Sequence, residues 1–300
     1  MGQLIKLEDY ISRYQRDVFH YPGQYIRLKQ ENWKKMIQMW ETRISEPEEE
    51  DTEEPEQKFP FINFKQFFNR RKEIDVEEAE TSQLPKTKEE LKQQFLDMLF
   101  PFQLNWASST ISEMSFLDKS YQENLTLKYF MQRFPDTFLF MYHPIFQLKN
   151  ASVDADIIMI TPVSIEIIQL LERPSDQHFI AEDGRTWFVE ENNVRKKIIS
   201  PMISIRRTEK IVKSILAVNS LNIPVNNVVL SRTNHIQFYL EPYQTSFVGK
   251  DQHEQWLQEK RNFVSPLKHN QLKVAEALLS FSDTVAVNRP EWNQQDKEEF

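Results

Sequence analysis

The chain has 300 residues, 40% of them hydrophobic and 27% charged, with a formal net charge of −8 and no cysteine. That length supports one sizeable core with a smaller appended unit, and the absence of cysteine rules out disulfides, thiolate metal sites and a cysteine nucleophile. Much of the negative charge comes from one acidic stretch, so local charge, not the total, must identify partners.

The N-terminal sequence MGQLIKLEDYISRYQRD carries charges where a signal peptide needs an apolar core, and Lys6 stands where a myristoylation motif wants Ser or Thr. Cytoplasm is the expected location, with no membrane partner. Leu4, Leu7, Tyr10, Ile11, Tyr14 and Val18 recur at helical spacing, as do Tyr25, Ile26, Trp33, Ile37 and Trp40 after the break at Tyr21-Pro22-Gly23. An N-terminal α-hairpin over 1–45 is expected. Residues 46–87 read as an acidic linker that carries an aromatic anchor, Phe59, Phe61, Phe64, Phe67 and Phe68.

Residues 88–245 form the expected core. A helix near Glu89 to Phe100 ends at Pro101, and a helix over Tyr121 to Phe134 leads into a strand over Thr137 to Tyr142. The run Asp154 to Glu172, DADIIMITPVSIEIIQLLE, reads as strand, tight turn, strand. A helix from Met202 to Ala217 and strands over Val225 to Leu230 and Ile236 to Leu240 follow. Residues 246–300 are expected to be a C-terminal helical segment and tail. Helix, three strands, helix, strand makes an α/β (α+β) core, a mixed sheet flanked by helices.

The hairpin carries the chemistry. Metal-dependent phosphodiester hydrolysis needs hard oxygen ligands beside a lysine, and Glu-x-Lys on one strand puts both side chains on the same face. The run Asp156-Ile157-Ile158-Met159-Ile160-Thr161-Pro162 resembles the hairpin of the nuclease-related domain (NERD), a bacterial, DNA-related relative of the restriction-endonuclease-like PD-(D/E)XK superfamily. Glu123 resembles the glutamate of that family's Gly-Glu helix start, with Gln122 in place of the glycine. Ser200-Pro201 resembles its Asn-Pro helix entry.

The resemblance places Gln169 at the family's glutamate and Leu171 at its lysine, and no lysine lies between Lys149 and Lys196. It therefore implies a nuclease core with vestigial catalytic positions Glu123, Asp156 and Gln169, needing no cofactor. Such a pseudoenzyme would serve binding or assembly, with an unknown protein partner or the DNA backbone. One alternative is an active nuclease with a rearranged site, holding Mg²⁺ or Mn²⁺ on Asp156 and Glu123, with Asp154 and with Lys196 or Lys197 moved in. Another is a non-nuclease interaction module whose hairpin matches by chance. Asp154 and Asp156 also read as solvated turn residues, and Glu123 as a helix-surface glutamate.

A basic stripe is the other signal. Arg206, Lys210 and Lys213 fall on one helix face opposite Ile205, Thr208, Val212 and Ile215, and Arg195, Lys196, Lys197 and Arg207 lie close by. This set suits phosphate contacts, as nucleic-acid backbone provides, or an ordinary solvated face. The isolated glycines give no phosphate loop, and the scattered histidines give no zinc pair.

Overall fold

The computed structural model describes residues 1–45, 85–149 and 151–289. The acidic linker, its aromatic anchor and the C-terminal tail lie outside these residues, apart from the ends of the first and last. The chain divides into two compact units, residues 1–24 with 99–300 and residues 25–98.

In chain order, strand Gln3–Leu7 (β1) and a 3-10 turn, Arg13–Gln15, precede helices Tyr21–Ser45 (α1) and Lys88–Trp106 (α2). Strand Glu113–Met114 (β2), short helix Ser120–Glu123 (α3) and helix Leu125–Arg133 (α4) come next. Five strands follow: Leu139–Tyr142 (β3), Ile145–Leu148 (β4), Ala151–Asp154 (β5), Ile157–Ile160 (β6) and Ile165–Leu170 (β7). His178–Ala181 (β8), Thr186–Glu191 (β9) and Val194–Ile199 (β10) lead to helix Met202–Val218 (α5). The chain continues through Val225–Leu230 (β11), Ile236–Gln237 (β12), Thr245–Val248 (β13), helices Lys250–Arg261 (α6) and His269–Ser280 (α7), and Val287–Asn288 (β14).

The fold is mixed α/β. Its main sheet has the order β1-β3-β6-β7-β11-β13, and β6 runs antiparallel to both neighbours while the other pairs are parallel. Helices cover both faces, which explains why β3 and β6 are continuous apolar runs, buried at every residue, instead of alternating. The β6–β7 turn is closed by Thr161, whose N–H donates to the Ser164 carbonyl at 2.8 Å and whose hydroxyl accepts from the Ser164 N–H at 2.9 Å. A second sheet, β10-β9-β8-β12, is built largely from the segment between β7 and α5. It packs Trp187 edge-on against Phe247 of β13, with ring centroids 5.1 Å apart. β4 and β5 form a separate hairpin, and β14 pairs with β2.

The N-terminal α-hairpin is corrected. Its first arm is β1, a fully buried strand of the main sheet paired with β3. Helical spacing misled here because β1 is buried on both faces and shows no alternation. Its lysine is internal: the Lys6 amine donates to the Tyr10 carbonyl (2.7 Å), Thr284 Oγ1 (3.1 Å) and Gln15 Oε1 (3.3 Å). Glu8 then turns the chain at φ 41°. In residues 25–98, Trp33 packs on Phe95 at 5.1 Å and the Trp40 indole donates to the Pro85 carbonyl.

Other boundaries move too. Pro101 lies inside α2. Asn124 splits the expected 121–134 helix by accepting the Leu127 N–H on its side chain, an N-cap for α4. The expected strand over Ile236 to Leu240 is only β12, and it joins the second sheet; Tyr239 and Leu240 are exposed.

Candidate functional site

Asp156 directly precedes β6. The rung Ile157↔Ile168 puts Gln169 opposite Asp156, one step beyond the last pair and on the same face of the sheet. That face meets α5, where Ser204 and Thr208 stand one turn apart. The Thr208 hydroxyl donates to Asp156 Oδ2 at 2.8 Å, and the Ser204 hydroxyl lies 2.9 Å from Oδ1 and 3.1 Å from Oδ2. Thr208 Oγ1 also accepts the Asp156 N–H at 3.1 Å.

The Asp156 side chain is thus locked in place, in a residue only 4% exposed. Burial raises its pKa above the ordinary carboxylate value, opposed by the two hydroxyl donors and by the nearby charges of His143 and Arg207. Both carboxylate oxygens are already engaged and Gln169 is neutral, so this pair does not fit a divalent cation.

The remaining acids do not join it. Asp154 is exposed at the end of β5, on the β4–β5 hairpin, and does not share a strand with Asp156. Glu123 is exposed on α3, and no hydrogen bond among the described residues links it to Asp156 or Gln169. The Leu171 N–H donates to the Leu230 carbonyl, extending the β7–β11 pairing, and its side chain brings no charge. Among the described residues no three His, Asp or Glu side chains converge as a metal site.

The basic stripe resolves into separate parts. α5 buries Ile205, Thr208, Ile211, Val212 and Ile215, which turns Arg206, Arg207 and Lys210 outward. These three, with Arg185 from the β8–β9 turn, line an open cavity of about 560 Å³. Its apolar wall comes from Leu148 and Val153 of the β4–β5 hairpin and Ile203 and Ile211 of α5. None of the four cations forms an ion pair with a described carboxylate. By contrast, Lys213 pairs with Glu209 at 2.5 Å and Arg195 with Glu190. Lys196 and Lys197 are exposed on β10, outside the cavity.

Sequence reading missed Arg185. The available signal was the turn chemistry of Asp183-Gly184: the Asp183 carboxylate accepts the N–H groups of Arg185 and Thr186, both at 2.6 Å. These bonds also hold its pKa below the usual range. Gly184 makes room for a guanidinium, since a Cβ there would come within 3.0 Å of Arg206 Nη1. His143 lies on the Asp156 side of the site, at φ 47° with Nδ1 3.3 Å from the Ala155 carbonyl.

A curated protein of Geobacillus stearothermophilus described as RNA 2',3'-cyclic phosphodiesterase is 39% identical to this chain over 119 residues, covering 34% of the chain and 36% of that protein. The chain therefore matches about a third of that relative's length. No family model and no solved structure matches. This similarity corrects the resemblance to the nuclease-related domain. The functions attached to it, an emptied nuclease core, an active metal nuclease or a bare interaction module, are set aside. Physically, the motif had rested on an apolar hairpin with one acid, and that acid is bound by hydroxyl groups of α5.

Proposed function

We propose that this chain acts on phosphate esters of RNA, with the α5 cavity seating the phosphate. The observation that carries the reading is the convergence of Arg185, Arg206, Arg207 and Lys210 around one cavity, none of them in a salt bridge with a described carboxylate, so that Asp183, Glu209 and Asp156 offset the charge of the three arginines only from a distance. Like charges held together are costly unless an anion joins them, and guanidinium groups are suited to bidentate contact with phosphate oxygens. The description of the Geobacillus relative supplies RNA and the cyclic phosphodiester as the ligand class.

Opening a cyclic phosphodiester requires proton transfer from water and to the leaving ribose oxygen. We assign these transfers to His143, an imidazole close enough to Asp156 for its charge to act on that carboxylate. We further assign the main sheet a restriction-endonuclease-like architecture, on the succession α4, β3, β6, β7, α5, β11. An arrangement of this kind transmits no activity.

The test is binding of a labelled RNA oligonucleotide ending in a 2',3'-cyclic phosphate, at two salt concentrations, with end-group analysis of the product. Affinity should fall as salt rises. Arg206→Ala with Arg207→Ala should weaken binding about 10- to 100-fold, for the loss of two charge-assisted contacts, and His143→Ala should suppress ring opening while leaving affinity in place. Binding indifferent to the double arginine substitution would sink the proposal.

A further inference from the structure

We infer that the cavity takes a whole terminal nucleotide, its base laid on the aliphatic wall and its phosphates on the cations, without selecting which base. The inference rests on the phosphate reading above and specifies the ligand. Size is the first argument. A cavity of about 560 Å³ is in the range of sites that enclose complete small molecules and is far larger than a lone phosphate group needs.

Lining is the second. The cations come from α5 and the β8–β9 turn, whereas Leu148 and Val153 reach in from the β4–β5 hairpin to join Ile203 and Ile211. Ile203 is 48% exposed on a helix whose other face is buried. An aliphatic wall beside a cluster of cations complements an amphiphilic ligand with a flat apolar face and an anionic end, and covering that wall yields free energy that a bare phosphate cannot supply.

Charge is the third argument. Four cations exceed the charge of one diester, while a terminal nucleotide with a cyclic phosphate and its own 5′ linkage carries two negative charges. The aliphatic residues offer no hydrogen-bonding side chain to a base edge, so all four bases fit alike. A single-nucleotide cavity also favours a single-stranded end over a duplex, whose terminal base stays stacked and paired.

The experiment is calorimetric titration of the intact chain with nucleoside 5′-monophosphates of the four bases, which differ from the control ribose 5-phosphate by the base alone, and with inorganic phosphate. The nucleotides should bind at least about tenfold more tightly than ribose 5-phosphate, as burial of one base face implies, and the four bases should agree within about threefold. Ile203→Ser, at an exposed position the fold tolerates, should close most of that gap without changing ribose 5-phosphate affinity. Equal affinity for nucleotide and ribose 5-phosphate, or a gap unchanged in Ile203→Ser, would overturn the inference while RNA binding dependent on Arg206 and Arg207 stood. Loss of that dependence would instead strike the phosphate reading itself.

Discussion

On the sheet face covered by α4 and α6, the buried carboxylate of Glu166 meets the ammonium of Lys260, and Glu172, just past β7, pairs with Arg232 through two hydrogen bonds. On the face covered by α5 and α7, the buried carboxyl of Asp156 takes its hydrogen bonds from the hydroxyl groups of Ser204 and Thr208, the buried amine of Lys6 gives its own to neutral oxygens, and opposite charges act on both without a salt bridge. Both cost free energy to bury, but the remedies differ. The first pair of groups is answered by an opposite charge in contact, whereas burial drives the second pair toward neutrality: Asp156 is shifted up, and Lys6 is shifted from 10.5 down to about 7. The first face should therefore be fragile to mutation and the second sensitive to pH. Three of the four cations around the cavity, Arg206, Arg207 and Lys210, belong to α5, which covers the second face.

The sharpest way to break this contrast is Lys260→Met. Glu166 is 4% exposed and its Oε2 has no hydrogen-bond partner, so removing the amine strands a buried charge. A loss of about 3–5 kcal/mol in urea unfolding is expected, largely recovered when Glu166→Leu is added. A loss under about 1 kcal/mol would show that water already reaches the pair.

The next effect belongs to Lys6. Its pKa is lowered on folding by burial, which Asp9 and Asp283 offset only in part. Between about pH 7 and the unfolded value the unfolded state binds the extra proton, so stability should rise with pH, by up to about 1.4 kcal/mol per unit. The gain is lost as pH falls back through the folded pKa. Urea midpoints from pH 7 to about 9.5 should show this slope, and Lys6→Met should flatten it. A slope unchanged in the variant would assign it to another group.

Legibility in the sequence followed the reach of each signal. The β6–β7 hairpin could be read because its apolar runs and the Thr161-Pro162 turn are local, and α5 because its period is carried by its own residues. β1 could not, since a strand buried on both faces with a lysine inside it has no pattern of its own. The cavity shows the same split. Arg206, Lys210 and Lys213 are visible as one helix stripe with Arg207 close by, but Arg185, Leu148 and Val153 reach the cavity only through the β4–β5 hairpin and the second sheet, whose strands are short and mostly half-exposed. Asp156 was visible as an acid at a strand entry. Its partners Ser204 and Thr208, 48 and 52 residues away, were not.

The smallest effect is the most discriminating for the site. Because the folded pKa of Asp156 lies above its unfolded value, its contribution to stability is full below the unfolded pKa and is lost as pH rises through the folded one. An asparagine side chain at this position, neutral throughout, would keep an acceptor for one of the two hydroxyls, so Asp156→Asn should stay within about 1 kcal/mol of the native chain near pH 4. From there to pH 7 the native chain should lose ground to the variant, as the carboxylate ionises in a site that offers it hydroxyls but no bound cation. Urea midpoints of both proteins across that range decide the matter. If the native chain gains instead, the ionised carboxylate is being stabilised by Arg207 and His143 more than burial penalises it, and Asp156 would then belong with the ion-paired acids of the opposite face.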